Sequence, residues 1–600
     1  MLGIGSQAIH VASAIVGILT VPVVYLAAEE AFREDQGLLG RFGAPVAALA
    51  TALSRWHLFW SRYGVRAILT PLFAALTIYS LWRGLRTRRW SAFAWCGFFL
   101  GLGMYTYQAT RLLPVLVVAS FAYAASANKS LSRQDIRHFA IVIVVSLVVF
   151  APLGYYAVTH PDSFSERMDQ VFVLENAEAR AVLEGLVQGL KQTLLVFSFR
   201  GDDQPTINLP GRPALDLFLS TAFALGIMIS LARIRQPAFF LLLAWLGVMS
   251  VPGVLAQHGP TAKRVIGTLP AVMMLVAVGT MVPLDALQRW AVRASRPRLS
   301  ALRTAAVAAL ALLIAAGLAY SGAVTYHDYF IAWGQDPALF THFEAGLAAI
   351  GQYIGQRPRD EQIYVSPVYV GHPSILYNSG EHPEVKGYHG DYCIVLPDEA
   401  DHDTTYIVVP GEDRRSVDLL QEYLPQGEIV SLGPLHYGQP YFMAYHVPPE
   451  THIQIAPTWP LHVNWDDQIE LLGYDVVPNQ AEGTLRIRLH YRALGRIRTD
   501  YTVFLQLVGP YNPATDSPLW SQRDSEPCRR YRPTSTWDED EILIDDFVLA
   551  IPANLPQGEE YELIVGFYDW QTLERLPTLS ADGKTTSDHA VLPAWPSLSR

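Results

Sequence analysis

The chain has 600 residues, of which 51% are hydrophobic and 16% charged, with a formal charge of −11. That charged fraction is well below the roughly one quarter usual in soluble domains. The negative sign, set mostly after Tyr320, excludes a basic surface for nucleic acid.

A bilayer core about 30 Å thick needs about 20 apolar residues per helix. In chain order, apolar segments fall at 9–28, 44–60, 67–82, 91–107, 112–127, 139–157, 214–232, 238–256, 265–283 and 304–324, which predicts about ten spans. No positively charged stretch precedes the first, so it reads as a span and not as a signal peptide. Basic residues cluster in four connecting loops: Arg83, Arg86, Arg88 and Arg89; Lys129, Arg133 and Arg137; Arg233 and Arg235; and Arg289, Arg293, Arg296, Arg298 and Arg303. With ten spans all four fall on one side, which the positive-inside rule makes cytoplasmic. Loops 61–66, 108–111, 159–212 and 257–264, and everything after Tyr326, are then expected on the exported face. The first span would also begin outside, so a further span is expected ahead of Met1.

From Thr325 charged residues, Pro and Gly rise, and no run is long enough to span. Helical patterns at 340–354 and 417–424, with strands at 362–365 and 405–409, predict a small α/β module. After Pro448, Pro449, Pro457 and Pro460, strand patterns dominate. In 484–492, Leu485, Ile487, Leu489 and Tyr491 alternate with Arg486, Arg488, His490 and Arg492. Similar runs at 501–508, 541–549 and 561–568, separated by turns such as Pro556-Gln557-Gly558, predict an antiparallel β-sandwich. The expected domains are a helical membrane domain over 1–324, an exported α/β module over 325–460 and the sandwich over 461–600. The three cysteines, Cys96, Cys393 and Cys528, are too isolated for a disulfide framework or a metal knuckle and are expected to be unpaired.

Ionisable groups beside spans are costly and mark sites or paths. Five clusters fall on the expected outer face: Ser61-Arg62-Tyr63-Gly64-Val65-Arg66, Tyr105-Thr106-Tyr107-Gln108-Ala109-Thr110-Arg111, Arg200-Gly201-Asp202-Asp203, Asn208-Leu209-Pro210-Gly211-Arg212, and Lys263-Arg264. Together they would form a cationic, aromatic-lined pocket suited to a lipid-linked phosphate, because guanidinium groups bind phosphate oxygens bidentately and neutralise the charge of a departing phosphate. The competing explanation is that Arg and Tyr anchor helix ends in the headgroup layer.

The first cluster, with Pro71 after it, resembles a segment of the polytopic GT-C glycosyltransferases of the protein-mannosyltransferase and aminoarabinose-transferase type. So do Gly101-Leu102-Gly103-x-Tyr105-Thr106-Tyr107-x-x-x-Arg111-x-x-Pro114 and the stretch from Gly201-Asp202 through Asn208-Leu209-Pro210-Gly211-Arg212-Pro213 to Asp216. Lys263-Arg264-Val265-Ile266-Gly267-Thr268-Leu269-Pro270 is a weaker match. The resemblance covers 3–324, and the tail from about Trp465 is similar to the β-sandwich of some bacterial members. It implies transfer of a sugar from a polyprenyl-phosphate donor to a glycan, lipid or protein acceptor on the exported face of the cell membrane. It also implies that Arg62, Arg66, Tyr105, Tyr107, Arg111, Arg212, Lys263 and Arg264 line the donor site. The family's catalytic base is an acidic residue in the first exported loop, expected upstream of Met1; Asp202 and Asp203 are the candidates within the chain. A carboxylate would deprotonate the acceptor hydroxyl, which then displaces polyprenyl phosphate. No metal or other cofactor is expected, since Arg and Lys supply the positive charge.

Other readings are a transporter of lipid-linked sugar, which would show internal repeats and midplane charges; a membrane-anchored carbohydrate-binding protein; and an inactive fragment of such a transferase. His372, His382 and His389 fit no standard ligand spacing. Trp520, Tyr531, Trp537, Tyr568 and Trp570 are candidates for stacking on sugars, with core packing as the alternative. Gly97, Gly101 and Gly103 are expected to allow close helix packing.

Overall fold

The computed structural model describes residues 6–593 apart from 128–132, 162–178, 257–261, 294–296, 381, 384, 398–401, 452, 454, 480 and 557. Lys129, Arg296 and Gln557 therefore lie outside the described residues. The chain forms two compact units, Met1–Leu339 and Phe340–Arg600.

The first unit is helical: α1 Ser6–Phe32, α2 Leu38–Leu53, α3 Arg55–Arg62, α4 Leu69–Thr87, α5 Trp90–Gly103, α6 Leu113–Ala127, α7 Arg133–Thr159, α8 Ala179–Ser198, α9 Leu217–Ala232, α10 Pro237–Val254, α11 Leu269–Val292 and α12 Pro297–Tyr326. Among the described residues, 6 helical stretches are long and apolar enough to cross a membrane, and shorter apolar helices cover Leu38–Leu53, Trp90–Gly103, Gln108–Tyr123 and Leu217–Ala232. Each of the expected apolar segments thus holds a helix. α11 is the central post, with every residue from Ala271 to Val278 fully buried. By contrast α7 exposes Val144, Leu147 and Val148, and α12 exposes Leu312 and Leu313. Such contiguous apolar surface needs a lipid environment to cover it.

The glycine run acts as expected where α5 meets α7. A Cβ at Gly97 would lie 2.6 Å from the Val142 carbonyl oxygen, and one at Gly101 would lie 2.7 Å from the Val149 Cβ. Gly103 has only ordinary contacts.

Two expectations need correction. The segment 44–60 is not one helix: α2 stops at Leu53, Ser54 is extended (φ −75°, ψ 125°), and α3 begins at Arg55. The break frees the Leu53 carbonyl, which accepts from Thr325 Oγ1 at 2.6 Å. It also lets Arg55 turn toward polar partners that a continuous span would deny it. The stretch 159–212, expected as a loop, contains α8 at 179–198. This helix exposes Leu183, Val187, Leu190 and Leu194 at helical spacing, an amphipathic pattern.

The basic loops gather at one end of the bundle. Arg86 Nη2 donates to Glu30 Oε2 at 3.0 Å, Arg88 pairs with Asp135, Tyr123 donates to the Arg235 carbonyl, and Arg289 pairs with Asp285 at 2.7 Å. His10, Arg55, Arg62, Asp202, Lys263 and Asp328 lie at the opposite end, as the alternation of helices requires.

The second unit contains a five-stranded sheet, ordered β2 Val385–Gly387, β1 Gln362–Ser366, β4 Thr404–Val408, β8 Met443–Val447, β5 Glu428–Leu432. Its β2, β1 and β4 run parallel, and β8 and β5 are antiparallel additions. Helices α13 Ala345–Gly355, α14 Pro373–Ser379 and α15 Ser416–Tyr423 accompany it. Two further sheets are antiparallel. One includes β9 Trp459–Trp465, β10 Ile469–Asn479, β11 Thr484–Ala493 and β14 Ile542–Ala550; the other includes β13 Ser517–Ser525, β12 Tyr501–Asn512 and β15 Glu562–Asp569. The alternation in β11 holds: Leu485, Ile487, Leu489 and Tyr491 are fully buried.

No domain boundary falls at 460. Strand β3 (Cys393–Leu396) from the α/β part pairs with β14 of the sandwich, and one core runs from Tyr364 and Tyr406 through Trp465 to Phe567. The charged face of β11 is part of this union: Arg488 donates to Tyr423 Oη at 2.9 Å and Asp546 at 3.2 Å, and His490 meets Asp475 at 2.8 Å. The cysteines correct a further expectation. Cys393 and Cys528 form a disulfide across this junction, and only Cys96 is free.

Candidate functional site

At the end of the bundle away from the basic loops, two buried carboxylates anchor the cationic segments. Asp328 opens the wide helical turn His327–Trp333 that follows α12 and is 2% exposed. It accepts from Arg212 Nη2 at 3.3 Å, forms an ion pair with Arg212 Nε at 3.1 Å, and lies 3.8 Å from Arg55 Nε. Arg55 in turn donates to Asn208 Oδ1 at 2.5 Å and to the Pro213 carbonyl. The stretch 200–213 is thus pinned from both sides. Removing one member of such a buried pair leaves the other uncompensated. Asp328→Ala is expected to destabilise the helical unit by about 3 kcal/mol, measured as denaturant unfolding in micelles.

Asp202 is the second anchor. Also 2% exposed, its Oδ2 accepts from the Ala262 N–H at 3.0 Å, while Oδ1 has no hydrogen-bond partner among the described residues. Burial pushes its pKa up to about 7, with the Asp203 charge adding to that and the Ala262 N–H, Arg264 and Arg55 opposing it. Between the ordinary carboxylate range and pH 7 the folded state therefore holds a proton that the unfolded state has lost. Stability falls as pH rises through that window. Asp202→Asn is expected to unfold at the same denaturant concentration as the parent near pH 4 and to be more stable by roughly 3 kcal/mol at pH 8.

The loop that Asp202 holds carries Lys263 and Arg264. Lys263 Nζ sits 5.9 Å from the Trp60 ring centroid and 6.0 Å from that of Tyr107, a cation–π seat from two sides. Arg264 is largely buried, which lowers its pKa, and its Nη1 has no hydrogen-bond partner among the described residues. Trp60 packs on Tyr63 and Phe59, and Phe59 packs on Tyr329 and Trp333. Arg62 lies over the rings of Tyr329 (5.6 Å) and Phe330 (5.4 Å). One aromatic cluster therefore connects Arg62 to Lys263. Trp56 and Trp333 brace it through Nε1 donations to the Ala262 and Pro205 carbonyls.

The structure brings together Arg62, Tyr107, Arg212, Lys263 and Arg264 at this end. Arg66 and Arg111 are mutual neighbours, close enough that the Arg66 charge acts on Arg111. Tyr105 departs from the group: its hydroxyl donates to the Val149 carbonyl at 2.8 Å, so it ties the 104–107 turn to α7. Asp203 pairs with Arg200 at the surface, both more than half exposed. Arg55 and Asp328 were not among the candidates. Arg55 was legible as a charge inside an apolar run, and Asp328 as an acid directly after the last span.

In the second unit the histidines each have local roles. His372 Nδ1 accepts from the Ser374 N–H, His382 Nε2 meets the Pro358 carbonyl at 2.6 Å, and His389 packs on Tyr392 and Tyr531. Trp537 is core, Trp520 donates to the Pro510 carbonyl, Tyr568 donates to Asp524, and Tyr531 and Trp570 are exposed.

No curated protein matches the sequence. Among solved structures, ArnT from Cupriavidus metallidurans bound to undecaprenyl phosphate aligns over 76% of this chain and 86% of its own at 15% identity, with a TM-score of 0.43. The arabinofuranosyltransferase AftD from Mycobacteria aligns over 98% of this chain and 56% of its own at 11% identity, with a TM-score of 0.33. Residues 1–156 match the family model described as dolichyl-phosphate-mannose-protein mannosyltransferase. That stretch, which carries Arg62, Arg66, Tyr107 and Arg111, is similar to this mannosyltransferase family.

Proposed function

We propose that this protein is a membrane glycosyltransferase that moves a sugar from a polyprenyl-phosphate donor to a glycan, lipid or protein acceptor on the exported face of the cell membrane. The observation that carries the reading is the pair Lys263 and Arg264: one cation seated on two aromatic rings, the other with a buried Nη1 that has no hydrogen-bond partner among the described residues. A buried donor without an acceptor is costly unless a ligand satisfies it, and a phosphate oxygen is the natural acceptor for a guanidinium. The match of residues 1–156 to the mannosyltransferase family model supports the same chemistry.

In this reading Arg62, Arg66, Arg111, Lys263 and Arg264 hold the donor's phosphate and take up the charge that grows on it as the glycosidic bond breaks. Trp60 and Tyr107 hold Lys263 in place. Arg212 keeps its loop in position through Asp328, and Asp202 positions Lys263 and Arg264 through Ala262. Asp202 is given a positioning role through Oδ2 and Asp203 pairs with Arg200, and neither is assigned as the base. Because protein cations neutralise the phosphate, EDTA is expected to leave turnover unchanged, measured as the initial rate with and without chelator. The disulfide supports an oxidising compartment for the second unit, in agreement with the side deduced from loop charges.

The test is turnover. Purified full-length protein, given radiolabelled polyprenyl-phosphate sugars and source membranes as acceptor, is expected to release free polyprenyl phosphate and to move label into membrane material. If no donor is consumed, the membrane-anchored carbohydrate-binding reading takes its place.

A further inference from the structure

The second unit contains a cavity of about 710 Å³ at the carboxyl ends of its parallel strands. β1 and β4 pair in register from Gln362↔Thr404 to Ser366↔Val408. The chain leaving β1 at Pro367–Tyr369 and the chain leaving β4 at Val409–Glu412 both line the opening. Ligands of open α/β sheets commonly bind in crevices of this kind, outside the carboxyl ends of the strands. The start of α13 forms one wall, and the hairpin of β6 (Leu435–His436) and β7 (Gln439–Pro440) forms another.

Its aromatic rings are held in place. The Tyr441 ring lies against Gly346, where a Cβ would come within 2.2 Å of it, and the Tyr369 ring folds over Gly371, where a Cβ would lie 2.5 Å from its hydroxyl. Phe340 meets Tyr441 edge-on at 5.3 Å and stacks on His436 at 4.5 Å. Tyr369 is 74% exposed, so one of its faces is open to a ligand. The polar lining is Thr341, Glu344, Glu412, His436, Gln439 and the backbone, and His436 Nε2 is buried with no hydrogen-bond partner among the described residues. Glu412 is near enough to Tyr441 that its charge, after burial, raises the phenol's pKa. Glu344 accepts from Ser374 Oγ and faces His372 Nε2 at 3.8 Å. No lysine or arginine is among the described lining residues.

We propose that this crevice is a carbohydrate-binding site that takes a neutral glycan ring. Flat rings pack against the C–H face of a sugar, and the carboxylates and the amide accept and donate hydrogen bonds to its hydroxyls. A purely apolar ligand would strip water from two glutamates without replacing it. A phosphorylated or carboxylated ligand would meet two carboxylates with no lysine or arginine among the described lining residues to offset them. The volume suits a small ligand. This site shares no described lining residue with the Lys263 site in the helical unit and stands whether or not the chain is a transferase.

The experiment is saturation-transfer NMR on the full chain, in a detergent without a sugar headgroup. The probes are methyl glycosides of common hexoses and pentoses and neutral disaccharides. At least one probe is expected to receive saturation on its ring protons. Its affinity is expected to fall about ten-fold or more in Tyr369→Ala, an exposed position whose loss leaves the fold intact, and in Glu412→Gln. Lys263→Ala is expected to retain the binding. The proposal is overturned by an absence of transfer to every glycoside, by transfer that neither substitution at the crevice weakens, or by tetramethylammonium binding where no glycoside does. Failure of the turnover assay above with this binding intact would remove the transferase reading alone.

Discussion

Replacing Lys263 by alanine is expected to lower sugar transfer by about 10²- to 10³-fold, the range seen when one preorganised charge-stabilising donor is removed from a reaction centre. The ammonium is seated on Trp60 and Tyr107, so its position is set before donor arrives and little reorganisation opposes its action. The growing phosphate charge is met more strongly than the ground state, so the loss should appear mainly in kcat and less in KM. Arg264→Ala should have an effect of similar size, because its buried Nη1 has no other partner among the described residues. Lys263→Arg should recover part of the rate, since charge is retained while the fit between the two rings is not. Arg289→Ala, at the opposite end of the bundle and paired with Asp285 four residues away, should transfer at the parental rate. Equal rates for Lys263→Ala and the parent would remove the cationic site from the mechanism.

The spans were legible because length and apolarity alone decide whether a helix can cross a bilayer, and each expected segment holds a helix. What averaging over a window conceals is the break at Ser54, where the single charge of Arg55 outweighs its apolar neighbours by reaching Asn208 and Pro213. Those partners lie more than 150 residues away, and nothing local announces them. Asp328 was missed for the same reason: its role comes from Arg212, 116 residues earlier. Tyr105 and Tyr107 look alike in the motif, yet they occupy a turn, where a two-residue step does not fix a common face. One reaches Val149 on α7 and the other lies under Lys263. In the second unit, strict alternation correctly located the buried face of β11. On the opposite face Arg488 reaches Tyr423 and Asp546, and His490 reaches Asp475, partners that a charge pattern alone does not name. The two expected domains are one because β3 pairs with β14 and a single core runs through both, a long-range pairing that local alternation does not reveal.

Cys528→Ser is expected to destabilise the second unit by about 3–5 kcal/mol, and Cys393→Ser by the same amount, with no further loss in the double variant. The two residues are 135 apart in sequence, so the bond closes a long loop and removes much of the unfolded chain's freedom. It also secures an unusual turn: Cys528, Arg529 and Arg530 all have positive φ (52°, 48° and 75°), and each such residue costs about 1 kcal/mol or more. Without the bond, the remaining ties at this turn include the Cys528 N–H donation to Asp545 at 3.2 Å. For a unit of this size the melting temperature should fall by about 6–20 °C, and a reductant should reproduce the shift in the parent but not in the variants. An unchanged melting temperature on reduction would show that the bond does not constrain the unfolded chain. The same bond bears on sidedness, because thiols in the cytoplasm are kept reduced. Lys584, whose side chain is 81% exposed, gives an independent measure. In intact cells Lys584→Cys is expected to react with a membrane-impermeant maleimide, whereas the buried Cys96 of the parent should not. Labelling of Lys584→Cys only after the membrane is opened would put the second unit in the cytoplasm and reverse the orientation deduced from the arginine-rich loops.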